Sequence, residues 1–394
     1  MGLLGVIAFV LALLFSVMVH EFGHYITARR YGMQVTEFFL GFGRRIWSTR
    51  RGETEFGLKA LPAGGYCKIS GMSSREPLAA DVEPRAFYKA SVPRRLVVLG
   101  AGSFLHFFLG IILLFTLFAG VGTSQVLPVV SQVVECVPSG DECAATDPIS
   151  PAKAVGLKAG DRIIGINGDT SLQWDEITPV LRANPNKEVK LTIIRDGVQQ
   201  DVAVTLASRN VNGDVRGFLG IINDFGLVRQ NPIEALSSTA SATQTLFTGS
   251  IRALIGLPAQ FPSLVRQTFF GEERNAEGLV GIVGVARATG ETVSSGNLTG
   301  GEKLATFILI VASLNIFVGI FNLLPILPLD GGHMAVAIFE GVRRKLAKLR
   351  GRPNPGPVDV ERLTPITMVV LVLLIFLTML LLIADIFNPI NLNL

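Results

Sequence analysis

Four stretches of this chain are apolar for longer than a soluble domain tolerates: Gly2 to about Tyr25, Leu96 to about Val121, Leu304 to about Leu329, and Thr364 to about Phe387. A helix needs roughly 20 such residues to cross a bilayer, and in lipid every backbone amide must be bonded internally. With 49% hydrophobic and 17% charged residues, the chain is neither disordered nor an ordinary soluble protein. The first stretch carries no Lys or Arg before Arg29, so it lacks the basic leader of a secretory signal and is expected to remain as a first span. The prediction is a polytopic α-helical membrane protein with four transmembrane helices.

Charge sets the expected orientation. Residues 26–95 hold 13 Lys and Arg against 6 Asp and Glu, and residues 341–363 hold 7 against 2. The long middle segment, 123–303, holds 15 against 19. Arg29-Arg30, Arg94-Arg95 and Arg343-Arg344-Lys345 all fall on one side, which the positive-inside rule makes cytoplasmic. Both termini and the middle segment are then expected on the outer side, with the basic loops in the cytoplasm. Cys136 and Cys143 lie in that outer segment, where a disulfide can persist, and Cys67 reads as a free thiol. Nothing in this distribution points to nucleic acid.

The intervening segments read as follows. Glu53–Ile69 alternates at Phe56, Leu58 and Ala60, then runs Pro-Ala-Gly-Gly to Tyr66, which predicts a β-hairpin. It is too short and apolar for a domain of its own, so it is expected to associate with the membrane against protein or a wet cavity. Ser150–Leu206 predicts a short helix Pro151–Val155, a strand Arg162–Asn167, a helix from about Trp174 to Ala183, and strands Val189–Arg195 and Gln200–Leu206 joined at Asp196-Gly197. This pattern, and "GLKAGDRIIGING" above all, resembles a PDZ domain, a fold that takes a peptide or chain end as an added strand. From Asn210 to Lys303 the expectation is helices lying on the outer membrane face, with Glu277–Gly290 a loop and short helix leading into the third span. The expected divisions are 1–122, 123–209 (PDZ), 210–303 and 304–394.

The chemistry concentrates in "HEFGH". His20 and His24 are four apart, so a helix puts both imidazoles on one face, within reach of one zinc ion. Glu21 beside them is placed to act as general base on an activated water. Two of only four histidines in the chain fall here, inside an apolar span where idle ionisable groups are costly. A catalytic zinc takes three protein ligands and keeps one open position. The third is sought in "NLLPILPLDGGH". Pro325 and Pro328 break the helix there, Gly331-Gly332 free the backbone, and Asp330 is the sole carboxylate between Lys303 and Glu340. His333 is the rival third ligand; His106 is a candidate on chemistry alone, but is expected instead to make an interhelical hydrogen bond.

HEFGH in the first span, a PDZ-like segment after the second and NLLPILPLDGGH in the third together resemble the site-2 protease family, peptidase family M50. "STRRGETEFGLKALPAGGYCKI" resembles its actinobacterial members. The resemblance implies an intramembrane zinc endopeptidase with His20, His24 and Asp330 as ligands to one Zn2+ and Glu21 as base. It implies that Asn322 contacts unwound substrate, and that the hairpin, here Phe56, Gly57 and Leu58, holds substrate as an added strand. The implied substrates are single-span membrane proteins, anti-sigma factors after a first outer cut, with remnant signal peptides as the alternative. Two departures stand out: Gly102-Ser103 and His106 replace a Gly-Pro and an Asn of the family, and Gly278-Leu279 replaces a Gly-Pro before the third span. Outside the family, a non-catalytic PDZ adaptor would bind no metal. A transporter would need polar residues across both leaflets, which the apolar outer halves of spans one and four lack.

Overall fold

The computed structural model describes residues 2–138, 143, 144, 146–172, 174–211, 213–270, 272, 274 and 278–389. Two compact units result: one comprises residues 1–122 and 229–394, the other Thr123–Val228.

The first unit is built on four helices long and apolar enough to span a membrane. They are α1 (Gly2–Arg30), α2 (Val92–Phe115, continued by a π-helical turn to Val121), α7 (Gly300–Asn322) and α9 (Thr364–Phe387). Between α1 and α2 run β1 (Val35–Arg51) and β2 (Thr54–Ile69). Before α7 come α5 (Pro232–Phe269) and α6 (Ile282–Ser294), and α8 (Asp330–Leu349) links α7 to α9. Glu277, which opens the segment expected as a loop and helix, lies outside the described residues. The span expectations hold for α1, α2 and α9, but the third differs. Its helix stops at Asn322, where Leu323–Leu329 turns, and a new helix of 20 residues starts at Asp330. Gly331 and Gly332 make that turn possible. A Cβ on Gly331 would stand 2.2 Å from the Leu323 carbonyl oxygen, and one on Gly332 would stand 2.5 Å from the Leu327 nitrogen. At its far end α9 buries Asp385, which pairs with Arg274 at 2.8 Å and accepts from the Gly284 N–H at 2.7 Å.

The expected hairpin within Glu53–Ile69 is not what forms. The whole stretch is β2, and its two arms do not pair with each other. Glu37–Leu40 of β1 lies between them, flanked by Gly65–Lys68 on one side and Glu55–Leu58 on the other. The outer part of β1, Trp47–Arg51, then pairs with Thr54–Leu58. The true turn is at Gly52-Glu53. The alternation was legible, but the partner strand lay upstream, in residues whose pattern is less regular.

The second unit holds a five-stranded sheet in the order β6-β5-β4-β3-β9 and a separate β7–β8 pair. Its elements are β3 (Thr123–Val133), α3 (Pro151–Ala154), β4 (Arg162–Ile166), α4 (Trp174–Arg182), β5 (Glu188–Arg195), β6 (Val198–Thr205), β7 (Ala207–Val211), β8 (Asp214–Phe218) and β9 (Ile221–Val228). Ile163, Ile166, Ile177, Leu191, Ile193 and Val204 form its buried core. The expected boundary at 209 is too early. β8 and β9 complete this unit, and β9 pairs with β3 along its length. Helices in 210–303 therefore begin only at Pro232. Cys136 and Cys143 form a disulfide, and Cys67 is free.

Candidate metal centre and active site

α1 carries His20, Glu21 and His24 on its buried side, with both histidines 7% exposed. His24 Nδ1–H donates to the Val98 carbonyl oxygen of α2 at 2.8 Å. That bond fixes the tautomer and leaves the Nε2 lone pair free. Nε2 of His24 lies 3.0 Å from Nε2 of His20. Asp330, the first residue of α8, brings Oδ2 to 3.2 Å from His20 Nε2 and 3.3 Å from His24 Nε2.

Three lone-pair donors facing one another this closely fit a cation between them. Donors bound at about 2.0–2.1 Å stand roughly 3.3 Å apart across a tetrahedral angle, close to what these residues present. His20 Nδ1 is buried and finds no partner among the described residues. Of the described His, Cys, Asp and Glu residues, His20, His24 and Asp330 are the group able to hold a metal ion. His333, the rival on the same segment, stands one turn into α8 and outside that group.

His106 stays close without joining. Its ring centroid is 4.9 Å from that of His20, and its Nδ1 is 2.9 Å from Asn315 Oδ1. The Asn315 amide donates to Ser16 Oγ at 3.0 Å and to the Val311 carbonyl at 2.8 Å. Its oxygen is thus the acceptor, and His106 Nδ1 carries the proton. His106 thus makes the interhelical hydrogen bond expected of it, while its partners in this chain from α1 through α7 to α2 escaped the sequence reading. The signals available for it were lone polar residues, Ser16 and Asn315, inside apolar spans.

A cavity of about 220 Å³ opens on the cluster, lined by His20, Glu21, His106, Asn322, Asp330, Val17, Val318, Pro328 and Leu329. Asn322 is the last residue of α7 and faces the same space as the ligands. A Cβ on Gly65 would stand 2.9 Å from Met18 Sδ and 3.4 Å from Val17 Cγ1, and Val17 lines the cavity, so the Gly65–Ile69 arm of β2 lies against α1 beside the site. Phe56, Gly57 and Leu58 are elsewhere. They pair with Phe38–Leu40 on one side and Trp47–Thr49 on the other. Their backbone has no open edge for an added strand, so the expectation that they hold substrate in that way is corrected. Gly65–Ile69 is paired with β1 on one side only.

Gly102 of α2 accounts for how close α2 lies to the ligands. A Cβ there would fall 2.5–2.7 Å from three atoms of the His20 ring. Only a residue without a side chain lets α2 press against this imidazole.

Two histidines one turn apart, a glutamate between them and an aspartate from a distant helix, all among apolar helices, define a membrane-embedded metallopeptidase site. The sequence comparisons give the same class. The profile of peptidase family M50 matches residues 8–354. Zinc metalloprotease Rip1 of Mycobacterium tuberculosis is 35% identical, over 98% of this chain and 98% of the relative. Rip1 of Mycolicibacterium smegmatis is 34% identical with the same coverage. Regulator of sigma-E protease RseP of Salmonella typhimurium is 24% identical over 88% of this chain and 91% of its own. The chain belongs to peptidase family M50. It is a zinc metalloprotease of the membrane, with zinc as its cofactor.

Proposed function

We propose that His20, His24 and Asp330 hold the zinc, that Glu21 is the general base, and that the enzyme cuts the transmembrane segments of single-span membrane proteins. One observation carries this reading: three converging donors and a glutamate share one cavity among apolar helices. Zinc held there supplies a Lewis acid that activates water and polarises the scissile carbonyl. The chain does the rest. The Glu21 carboxylate takes the proton of the attacking water and delivers it to the leaving amine. Val98 keeps the His24 imidazole in its donor tautomer. Asn322, at the rim of the same cavity, offers an amide to a substrate backbone that has left its helix.

A transmembrane helix resists cleavage because its amides are bonded and dry, so the substrate must unwind. The Gly65–Ile69 arm supports the unwound form. This arm pairs with β1 on one side and lies beside Val17 of the cavity, and an extended chain added to its other edge would pass the site. The Thr123–Val228 unit, with its five-stranded sheet and α4, suits the PDZ reading, in which it admits trimmed substrates and blocks bulky ones. The basic clusters favour a site nearer the cytoplasm with both termini outside. The name of the Salmonella relative, a regulator of sigma-E protease, favours anti-sigma factors as substrates after a first cut. Remnant signal peptides would use the same site. An adaptor or transporter leaves Glu21 and the cavity without a task.

The test is Glu21→Gln. The variant should keep its zinc and its fold while cleavage of a single-span reporter falls by roughly a hundredfold or more. Undiminished cleavage would remove Glu21 from the role. Full zinc occupancy in Asp330→Ala would move the third ligand to His333 or His106.

A further inference from the structure

α8 is amphipathic in an unusual setting. One face is tied into the protein. Glu340, 1% exposed, pairs with Arg95 of α2 at 3.0 Å and with Arg344 at 2.7 Å, and it accepts from the Val358 N–H at 3.2 Å. Ala337 and the first-turn glycines are buried on the same helix. The opposite face exposes Ile338, Phe339, Val342, Leu346 and Leu349, the last of them 75% exposed. At 100° per residue these five form one stripe, with Lys345 on one border and Arg343 and Arg350 on the other. Among the described residues, Lys345, Lys348, Arg350 and Arg352 enter no ion pair, and Arg343 bonds only the carbonyls of Pro355 and Gly356. An exposed apolar stripe on a soluble surface would be a liability. This helix, however, is joined to the end of a membrane span by only the seven residues Leu323–Leu329, so it leaves the membrane where that span ends.

We propose that α8 is an anionic-phospholipid-binding helix. Its stripe enters the acyl boundary of the leaflet and its flanking Lys and Arg hold acidic headgroups. The helix begins with Asp330, so lipid bound along it also holds a metal-ligand residue in place. That consequence rests on the ligand role proposed above. The docking itself does not, and its test needs neither zinc nor cleavage.

The full chain carrying Cys67→Ser and Leu349→Cys is labelled at the introduced thiol with an environment-sensitive fluorophore. It is reconstituted into vesicles of phosphatidylcholine alone or with phosphatidylglycerol. The expected result is bluer emission and weaker quenching by aqueous iodide when phosphatidylglycerol is present. The difference should shrink in high salt, which screens headgroup attraction. Neutralising the exposed cations with K345Q/K348Q/R350Q/R352Q, which leaves the Arg95–Glu340–Arg344 link intact, should abolish the difference. Identical emission and quenching in both vesicle types would overturn the proposal. Shielding that follows protein density in the vesicle rather than lipid charge would also overturn it, because a second copy would then be the occupant.

Discussion

At the scale of single residues, the site is a matter of which donors are free and which are spoken for. His24 is committed through Nδ1 to Val98, so its Nε2 is left to face His20 and Asp330, where the metal is proposed to sit. His20 has no such partner, and its ring is instead located by the bare backbone of Gly102. A methyl at that position cannot be absorbed by a flexible chain end, because the atoms it would strike belong to the buried His20 ring, a proposed ligand. Gly102→Ala is therefore expected to displace His20 and lower both zinc retention and cleavage. A shift of about 1 Å at a reacting group can cost roughly a hundredfold in rate. Gly100→Ala is the control. The nearest atom to its Cβ is the Met334 Cε at 3.9 Å, and the exchange favours a helix. Metal content and reporter cleavage of the two variants, side by side, decide it. Equal loss in both would show that the effect is helix-wide and not a contact with His20. His20, Glu21, His24 and Asp330 could be read from the sequence because spacing and the rarity of polar groups in apolar runs mark them. Gly102, Ser16 and Asn315 could not, since their roles exist only once helices are packed.

At the scale of elements, the helices were the easier part. An apolar run of span length has one solution in lipid, so α1, α2 and α9 follow from hydropathy alone. The end of α7 is set by Pro325, Pro328 and the glycine pair, which the sequence already marks as a break, though the continuing apolar run put the limit of the span at about Leu329 rather than Asn322. Sheet pairing was less accessible, because which arm of β2 meets which part of β1 depends on partners distant along the chain. In the second unit, a charged link holds β4's approach turn to β5. Asp161, 1% exposed, accepts from Arg195 Nε at 2.7 Å and from the Lys158 N–H at 2.8 Å. Burial pushes this carboxyl up, but Arg195 and the Lys158 amide outweigh it and hold it below its ordinary range. A depressed folded value means the unfolded chain binds the proton first. The contribution is then whole above the ordinary Asp value of about 3.9 and is lost as pH falls below it toward the folded value. Urea unfolding followed by Trp174 fluorescence in a Trp47→Phe background should show the unit weakening through that acid range. Asp161→Asn should be weaker at neutral pH and should lose less on acidification. An unchanged acid dependence in Asp161→Asn would assign the effect to other carboxylates.

At the scale of the whole molecule, the argument turns on sides. Four helices among the described residues are long and apolar enough to span, and an even number of crossings would return the chain to the side on which it began. The basic residues cluster in the segment between α1 and α2 and from the second half of α8 to the start of α9, and the net negative segment is the one between α2 and α7. The disulfide between Cys136 and Cys143 belongs to that negative segment and suits an oxidising compartment, whereas Cys67 between the first two spans is free. Charge and sulfur chemistry are independent indicators, and they agree on the same orientation. It bears on mechanism, because Glu21 and Asp330 each sit within a few turns of a basic cluster, and the proposed orientation would open them toward the cytoplasmic leaflet and put the β-rich unit outside. The prediction is made with single cysteines in a Cys67→Ser background, at Ser208 in β7 and at Ser73 in the loop after β2. A membrane-impermeant maleimide applied to intact cells should modify Ser208→Cys and leave Ser73→Cys untouched until the membrane is opened. The reverse pattern would invert the protein. The basic loops would then face outward against the positive-inside rule, and a filter for trimmed outer domains could no longer be assigned to the Thr123–Val228 unit.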